Sequence, residues 1–277
     1  FVLDVNETPD PEEFEDAYMR YANARVCPPR PAEKTYRVRG TKEPFYTLNV
    51  IDGIMSVSAV QKVAKQYQAS ITEYLNAVLL YSLLQKQEHD FHLRLRPVRI
   101  AMPVNLRRFF PSKTLRNFIT MVYPSIDPRL GDYTFEEIVT QVHHYMRYYI
   151  NSKFLRGDIT TNASTQRNPL IRIVPLFLKD FVVRQFYQRV QDKNSSAGLT
   201  NMGAIRVPDD MKPYLERFDI YMGIPYSQRT NCAIVSFEDT LTVNFASCII
   251  EADVERRFFQ KLVEDGIPVT IESNREL

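Results

Sequence analysis

Residues 70–84 read SITEYLNAVLLYSLL, and this stretch predicts a buried helix at the centre of the fold. Ser70 is followed three residues later by Glu73, the spacing of a capping box, in which two side chains satisfy the first free backbone N–H groups of a helix. Apolar side chains recur at helical spacing and cover most of the surface of such a helix. They are Ile71, Leu75, Val78, Leu79 and Leu83, widened by Tyr74, Ala77, Leu80 and Leu84. We therefore predict a largely buried helix over about residues 71–87.

The elements around this helix alternate between strands and helices. Ser58 with Gln61 fits the same capping pattern and predicts an earlier helix. The β-prone run Phe45–Ile51 predicts a strand that ends at the turn signal Asp52-Gly53. Apolar runs after the central helix predict two buried strands, Val98–Val104 and Phe118–Tyr123.

The second half of the sequence predicts two long helices followed by a series of short strands. The helices cover about residues 134–154 and 169–191 and are joined by a polar stretch, 158–168. The strands lie at about 197–205, 217–223, 231–237 and 240–248, before a helix at 251–265 and a last strand, Pro268–Ile271. Gly266 stands where a helix commonly stops. The fold class predicted is α/β, with a mixed β-sheet and helices packed mainly on one face.

The sequence divides into an N-terminal arm and connector, residues 1–44, and a domain, residues 45–277. A short helix over about 10–24 is consistent with Pro11 at a first helical turn. The run Cys27-Pro-Pro-Arg-Pro31 predicts an extended connector, because proline cannot continue a helix. Either a loosely packed arm or a docked element fits this composition.

Composition excludes several classes of function. The 277 residues carry 35 basic and 33 acidic side chains, a formal charge of +2, which does not favour nucleic acid as a partner. No apolar run approaches the ~18 residues of a membrane span. Cys27, Cys232 and Cys248 are too widely spaced for a metal knuckle or a disulfide framework, which suits a cytoplasmic protein. The sequence lacks nucleotide-binding glycine motifs and the GxSxG elbow, and it predicts no metal site.

Four segments in order resemble the second half of the acyltransferases related to chloramphenicol acetyltransferase and condensation domains. Residues 57–84 are similar to the helical segment that opens that half, and the closing hairpin 236–244, helix and Gly266-Ile-Pro-Val fit its terminus. Residues 99–109, RIAMPVNLRRF, with 115–118, LRNF, resemble the P-V-N-x-R … N-F block. Residues 199–203, LTNMG, resemble the S-N-L-G strand end. The resemblance covers about residues 45–272 and is closest to the alcohol acetyltransferase-like branch.

The resemblance implies transfer of an acyl group, with acetyl expected, from a coenzyme A or carrier thioester to a hydroxyl or amine. Acyl-CoA would be a donor substrate, and no tightly bound cofactor is expected. The family's general base is the second histidine of an HHxxxDG motif. This sequence contains neither that motif nor the family's DFGWG-type motif. We expect the HHxxxDG half upstream, as the partner of this chain, and expect this chain alone to be inactive.

The histidines of this sequence do not replace that motif. His143-His144 is followed by YMRYY, so tyrosines stand where the family has Asp and Gly. The pair also lies within a predicted helix, where neighbouring side chains point about 100° apart. We expect one histidine to be packed and the other solvated, and expect His89 and His92 at the surface.

The resemblance also supplies candidate site residues. Asn201, Asn117 and Asn105 are candidate substrate-binding residues, and Arg107 and Arg108 are candidates for binding the phosphates or pantetheine arm of coenzyme A. Asn201 could equally make a local turn before Gly203, and the two arginines could instead fix their own loop. Separately, Arg94, Arg96 and Arg99 are spaced for one face of an extended segment, either a basic rim or a solvated strand edge.

Two other functions stay open at this stage. A docking or assembly module could keep this fold without catalysis, and an unrelated α/β binding protein would require the four matches to be accidental. An isolated half should expose the apolar face that its partner normally covers. We therefore also expect self-association through that face.

Overall fold

A computed structural model describes residues 8–25, 33–44, 47–90, 94–167, 175, 176, 180, 194–225 and 228–275. The helices in these ranges are α1 (Ala17–Tyr21), α2 (Val57–Gln66), α3 (Ile71–His89), α4 (Phe135–Tyr149), α5 (Ser152–Arg167) and α6 (Asp253–Glu264). The strands are β1 (Asn49–Ser56), β2 (Val98–Asn105), β3 (Ile119–Val122), β4 (Ser125–Ile126), β5 (Ala197–Ala204), β6 (Thr230–Phe237), β7 (Thr240–Ser247) and β8 (Thr270–Ser273).

The strands form one mixed sheet, as the sequence predicts. Their order is β3-β2-β5-β6-β7-β1-β8, with β4 paired to the free part of β2. Strands β2, β5 and β6 run parallel to one another, and the other pairs are antiparallel. The register between β2 and β5 is short, with pairs at Ile100–Ala197 and Ala101–Gly198.

Helix α3 is the centre of the core, and its capping box is confirmed. Ser70 accepts a hydrogen bond from the Glu73 backbone N–H, and Glu73 accepts one from the Ser70 N–H at 2.7 Å. The helix packs against α2, α4, α6 and β2, so one face of the sheet carries most of the helices. Tyr74 through Leu80 are fully or almost fully buried. Burying such side chains contributes about 1.5–3 kcal/mol each, so α3 anchors the fold.

Helix α2 begins two residues earlier than the sequence predicts. Ser56, not Ser58, is the N-cap, since its hydroxyl accepts from the Ala59 N–H at 3.2 Å. The Ser58 backbone N–H instead donates to Asp239 in the β6–β7 turn, at 2.9 Å. The capping prediction at Ser58 with Gln61 is therefore wrong, because a tertiary contact occupies the group that a local cap would use.

Strand β1 runs through the predicted turn at Asp52-Gly53, so that prediction is wrong. All eight of its residues pair with β7. A Cβ built on Gly53 would lie 2.1 Å from Cε1 of Phe259 on α6. Glycine is needed here because α6 packs closely on the strand. A glycine in a β-prone sequence can therefore indicate close packing instead of a turn.

Residues 217–223 are not a strand, contrary to the prediction, because side chains hold them on the sheet face opposite the helices. Asn244 accepts from the Ile220 N–H at 3.2 Å and donates to Asp52 at 2.8 Å. Tyr221 donates its hydroxyl proton to Asp52 at 2.9 Å. Burial raises the pKa of the Asp52 carboxyl despite these hydrogen bonds. Polar side chains thus replace a backbone ladder on this face.

The polar stretch predicted as a connection after residue 158 is helical as far as Arg167, in α5. The break between helices falls earlier, near Ile150 and Asn151, whose Oδ1 accepts from the Lys153 and Phe154 backbone N–H groups. The predicted helix 169–191 falls almost entirely outside the described residues. The last strand lies at 270–273 and not at 268–271, while Gly266 has the left-handed φ of +83° expected at a helix stop.

The described N-terminal residues 8–25 are docked and not loose. Ala17 and Ala22 are buried, and the Tyr18 hydroxyl donates to the Ile119 carbonyl at 2.5 Å and accepts from the Ile119 N–H at 3.1 Å. Thr114 donates to the Glu15 carbonyl at 2.6 Å. A short 3-10 turn at Pro11–Phe14 and α1 replace the single helix predicted over 10–24. The domain boundary at residues 44 and 45 stays a prediction.

Candidate functional site

The carboxyl ends of β2, β5 and β6 lie at one edge of the sheet, called here the carboxyl edge. Parallel strands expose the same ends together, and ligands of α/β proteins commonly bind there. Asn105 ends β2, and Asn201 lies near the end of β5. The structure therefore brings two of the three predicted substrate-binding residues to the same edge.

Asn201 is held by two hydrogen bonds within the chain. Its Nδ2 donates to Thr72 Oγ1 on α3 at 2.8 Å, and its Oδ1 accepts from the Gly203 N–H at 2.8 Å. Gly203 has a φ of +76°, in the left-handed region that favours glycine. The second contact forms the local turn before Gly203, which the sequence analysis gave as the alternative to substrate binding. A role for Asn201 in binding substrate stays a prediction.

Asn76 is a buried polar residue at this edge that the sequence reasoning missed. Its Nδ2 donates to the Thr72 carbonyl at 3.2 Å and to Met102 Sδ at 3.3 Å. Its Oδ1 is buried and has no hydrogen-bond partner among the described residues. Such a group costs about 1–3 kcal/mol, so a water or ligand donor there would be favourable. An asparagine within an apolar helical stripe was the available signal.

The two adjacent histidines are placed as predicted, one packed and one solvated. His143 Nδ1 lies 3.3 Å from Glu73 Oε1, with side chains 24% and 12% exposed. The contact is not aligned as a hydrogen bond, so Nδ1 has no partner within the described ranges. His144 is exposed on the same helix. His89 is exposed at the end of α3, and His92 lies outside the described residues.

The connection between β2 and β3 contains the other predicted residues. Asn105 accepts from the Arg107 N–H at 3.0 Å and so begins a 3-10 turn, Leu106–Arg108. The Arg107 guanidinium donates to the Thr114 and Arg116 carbonyls at 2.7 and 2.6 Å, which is the loop-fixing alternative. Arg108 and Asn117 are exposed, so their side chains are open to a ligand from solvent. The coenzyme A role of both arginines stays a prediction.

The three arginines predicted on one face separate in the structure. Arg94 and Arg96 are exposed, whereas Arg99 is 6% exposed and donates to the Asn194 carbonyl at 3.2 Å. Burial lowers the pKa of Arg99, and its Nε has no hydrogen-bond partner among the described residues. The basic rim therefore consists of Arg94 and Arg96 without Arg99.

In the described part of the chain, no group of three or more His, Cys, Asp or Glu side chains is arranged to hold a metal ion. Within the same ranges, no helix is both long enough and apolar enough to cross a membrane. Cys232 and Cys248 are both free thiols, and burial raises the pKa of Cys232.

Solved structures with the same architecture identify the fold. Over 84% of this chain, the nonribosomal peptide synthetase FmoA3 superimposes with a TM-score of 0.54 at 11% sequence identity. The epimerization domain from the third module of tyrocidine synthetase B matches 92% of the chain, with a TM-score of 0.50 and 13% identity. The chain has the fold of about half of that epimerization domain. The resemblance predicted from sequence is confirmed at the level of the fold.

The chain spans 22% of the FmoA3 chain and 56% of the epimerization domain, so it corresponds to part of each. Trichothecene 15-O-acetyltransferase from Fusarium sporotrichioides also matches, over 83% of this chain and 49% of its own, with 14% identity and a TM-score of 0.47. No protein-family model matches the sequence, and no curated protein matches it.

Proposed function

We propose that this chain is the C-terminal lobe of an acyltransferase, which moves an acyl group from a thioester to a hydroxyl or amine. The observation that carries the proposal is the condensation-domain fold over most of the chain, matched to about half of an epimerization domain. The remaining half of such a fold would pack beside this lobe. In this proposal it supplies the general base, the second histidine of HHxxxDG.

The chemistry assigns a different role to each lobe. The base of the other lobe takes the proton from the acceptor's hydroxyl or amine, and the acceptor oxygen or nitrogen then attacks the thioester carbon. The carbon–sulfur bond breaks, and the thiolate leaves and takes up a proton. The lobe described above contributes walls and hydrogen-bond donors at its carboxyl edge. Donors fixed in advance stabilise the oxyanion that develops on the thioester carbonyl.

Asn201 and Asn76 are the polar groups best placed for this contribution. The amide of Asn201 is held by Thr72 and the Gly203 N–H, which fixes its orientation. The buried Oδ1 of Asn76 has no partner in the described ranges and would accept a hydrogen bond from the hydroxyl or amine of a bound acceptor, not stabilise the oxyanion. Asn105 and Asn117 extend the proposed site along the β2–β3 connection.

The donor we propose is acetyl-CoA, with a carrier-bound thioester as the variant of the same chemistry. Arg108 is the proposed contact for its phosphates, since Arg108 is exposed and Arg107 already donates to two carbonyls of its own loop. A cytoplasmic location is part of the proposal, because acyl-CoA is made there and both described cysteines are free.

The first experiment reads the coding sequence upstream of the codon for Phe1. We expect it to encode HHxxxDG in an α/β half of similar size. The full product should then release free thiol from acetyl-CoA when a small alcohol or amine is present, and this chain alone should not. Replacing the second histidine of the motif with alanine should abolish turnover.

A reading frame that begins near Phe1, or a full product that turns over no thioester, would contradict the proposal. Either result would favour a docking module, and the next experiment would be to identify its partner.

Self-association can be checked on this chain alone by sedimentation velocity. Several large apolar side chains are exposed, including Leu115, Leu130, Met121 and Met202, so we expect oligomers at high concentration.

Asn201 can be tested apart from its structural contacts in the full product. Asn201→Ala removes the amide, while Thr72→Val removes its partner on α3 and leaves the amide in place. If the amide contacts substrate, Asn201→Ala should lower kcat/KM by about tenfold or more, the value of a lost hydrogen bond, and Thr72→Val should lower it much less. Equal losses would assign the effect to the hydrogen bond between Asn201 and Thr72 and not to contact with substrate.

A further inference from the structure

A cleft of about 360 Å³ lies at the opposite edge of the sheet, where β2 and β6 begin. Five arginines line it, Arg37, Arg39, Arg94, Arg96 and Arg229, together with the segment that carries the first two. We call it the arginine cleft. The whole chain has a formal charge of +2, so five guanidinium groups around one hollow are a marked concentration of charge.

The arginines come together because two neighbouring extended segments each expose an arginine at every second residue. In residues 36–39, Tyr36 and Val38 are buried at 2% and 3% exposure, and the arginines between and after them are exposed. Arg94 and Arg96 are likewise two residues apart and exposed. The Tyr36 N–H donates to the Pro97 carbonyl at 2.9 Å, which places one segment beside the other. Successive residues of extended chain point to opposite sides, so each segment presents both its arginines together.

The backbone around the cleft is fixed from several directions. Gln87, 2% exposed, donates to the Arg96 carbonyl at 3.0 Å and accepts from the Arg96 N–H at 2.8 Å. The Arg229 carbonyl accepts from the Cys248 N–H at 3.0 Å, next to the first residue of β6. A ligand would therefore meet arginines on a rigid frame, which lowers the entropy lost on binding.

None of the described residues that line the cleft is a carboxylate. Within the described ranges, none lies within 4 Å of the Arg39, Arg94, Arg96 or Arg229 guanidinium groups. The nearby acidic groups are held elsewhere. Asp90 accepts from the Tyr36 hydroxyl at 2.8 Å and from Lys86 at 3.0 Å, and Glu251 accepts from Thr41 N–H at 2.7 Å.

An adjoining hollow of about 260 Å³ shares Arg94 and Arg96 and adds Lys34. Its acidic residue, Glu33, accepts two hydrogen bonds from Arg129, at 2.6 and 3.1 Å. Arg129 also pairs with Asp127 at 2.5 Å, so Glu33 shares that arginine with a second carboxylate. Like charges gathered around one cleft repel one another, so an anion placed between them is favoured.

We propose that the arginine cleft binds the diphosphate group of a phosphorylated small molecule. The volume lies within the range of small-ligand sites. Arginine forks match the paired oxygens of phosphate, and arginines from separate segments match two linked phosphates better than one. The cleft is at the amino ends of β2 and β6, away from Asn105 and Asn201, so this site is separate from the proposed acyl-transfer site and does not rest on it.

Isothermal titration calorimetry of this chain at constant ionic strength, without divalent cations, tests the proposal. The probes are pyrophosphate, ADP, AMP, sulfate and coenzyme A. We expect saturable binding of pyrophosphate and ADP, with AMP and sulfate weaker by about tenfold or more. Coenzyme A contains the same diphosphate, and comparing it with ADP distinguishes a thioester donor from a nucleotide as the source.

Matched variants locate the binding. Arg94→Gln combined with Arg96→Gln should weaken pyrophosphate binding by at least about tenfold, and Arg39→Gln should do so independently. Arg206→Gln is the control, because Arg206 is exposed just beyond the carboxyl end of β5. All four arginines have exposed side chains, so circular dichroism spectra should be unchanged.

Several results would overturn the proposal. One is the absence of saturable pyrophosphate binding, and another is equal binding of sulfate at matched ionic strength. Binding that survives in the Arg94→Gln, Arg96→Gln chain, or that falls equally in Arg206→Gln, would place the anion elsewhere. Binding of an acidic polypeptide without binding of pyrophosphate would assign the cleft to a protein partner instead.

Discussion

Gly53→Ala tests whether close packing of α6 on β1 contributes to the stability of the fold. The added Cβ would lie 2.1 Å from Phe259 Cε1 and 2.7 Å from Cζ, and ordinary contact begins near 3.4 Å. The ring must therefore retreat by about 1.3 Å, from 2.1 to 3.4 Å. Phe259 packs against Phe245 and Phe258, with ring centroids 5.6 and 5.4 Å away, so moving it disturbs the aromatic cluster beneath α6.

Two effects set the size of the loss. Overpacking a core typically costs about 1–3 kcal/mol. Alanine in a strand interior stabilises the fold by about 0.5–1 kcal/mol relative to glycine, because the unfolded chain with alanine has less conformational entropy to lose. Phe259 also lines a groove of about 600 Å³ between α6 and β8, and the ring can swing partly into that space. We therefore expect Gly53→Ala to lower the free energy of unfolding by about 1–2 kcal/mol.

Urea denaturation measures this loss as a lower midpoint with an unchanged slope. Gly223→Ala is the matched control, since an added Cβ there meets no atom within 4 Å, and it should change stability by less than about 0.5 kcal/mol. The double variant Gly53→Ala with Phe259→Leu should lose at least about 1 kcal/mol less than the sum of the single losses. Additive losses, or equal effects at Gly53 and Gly223, would refute the packing argument.

Three further changes test other contacts. Ser56→Ala should lower the free energy of unfolding by about 1 kcal/mol and Ser58→Ala by clearly less, as measured by urea denaturation, and equal losses would restore Ser58 as the cap. Glu255→Gln should raise stability near neutral pH, because burial raises the pKa of the Glu255 carboxyl above its ordinary 4.5 and the ionised form is disfavoured in the fold. Thermal unfolding across pH should show this gain shrinking as the pH falls and absent below about 4.5, and a gain that grows in acid would contradict it. Asp265→Ala should cost about 3 kcal/mol, since it removes the partner of buried Tyr74 at 2.7 Å and of partly buried Lys261 at 2.6 Å, while Tyr74→Phe should cost about 1–2 kcal/mol, and equal losses would leave no contribution from the lysine.

Elements governed by local signals were predictable from the sequence. The capping box and apolar stripe specify α3, and both are properties of neighbouring residues along the chain. The hairpin strands β6 and β7 lie within one residue of their predicted bounds, because they pair directly across a two-residue turn. The overall fold was recognisable because several such elements occur in the order of a known family.

Features set by contacts distant in sequence were not predictable. Gly53 looks like a turn residue until Phe259 is placed above it. Residues 217–223 alternate like a strand, but Asn244 and Asp52 hold them by side chains. In the candidate site, Arg107 looked available to a ligand because nothing local shows that the Thr114 and Arg116 carbonyls turn toward it.

The arginine cleft illustrates the same division. We predicted Arg94, Arg96 and Arg99 on one face, but Arg99 is an odd number of residues from the other two, so alternation turns it to the opposite side, and the fold buries it. It brings in Arg37, Arg39 and Arg229 from segments far away in the chain. A pattern of alternation identifies which side chains can share a face, but only the tertiary structure identifies which segments lie together.

The short register between β2 and β5 divides the sheet along a seam. On one side stand β2, β3 and β4, and on the other β5, β6, β7, β1 and β8. Two residue pairs join these blocks, at Ile100–Ala197 and Ala101–Gly198, while α3 crosses between them by packing on both β2 and α6. Hydrogen bonds between Arg99 and Ser196, at 2.7 and 3.2 Å, add to this short ladder across the seam. Asn105 and Asn201 stand on opposite sides of it, so the width of the proposed site is set by these few contacts between the blocks.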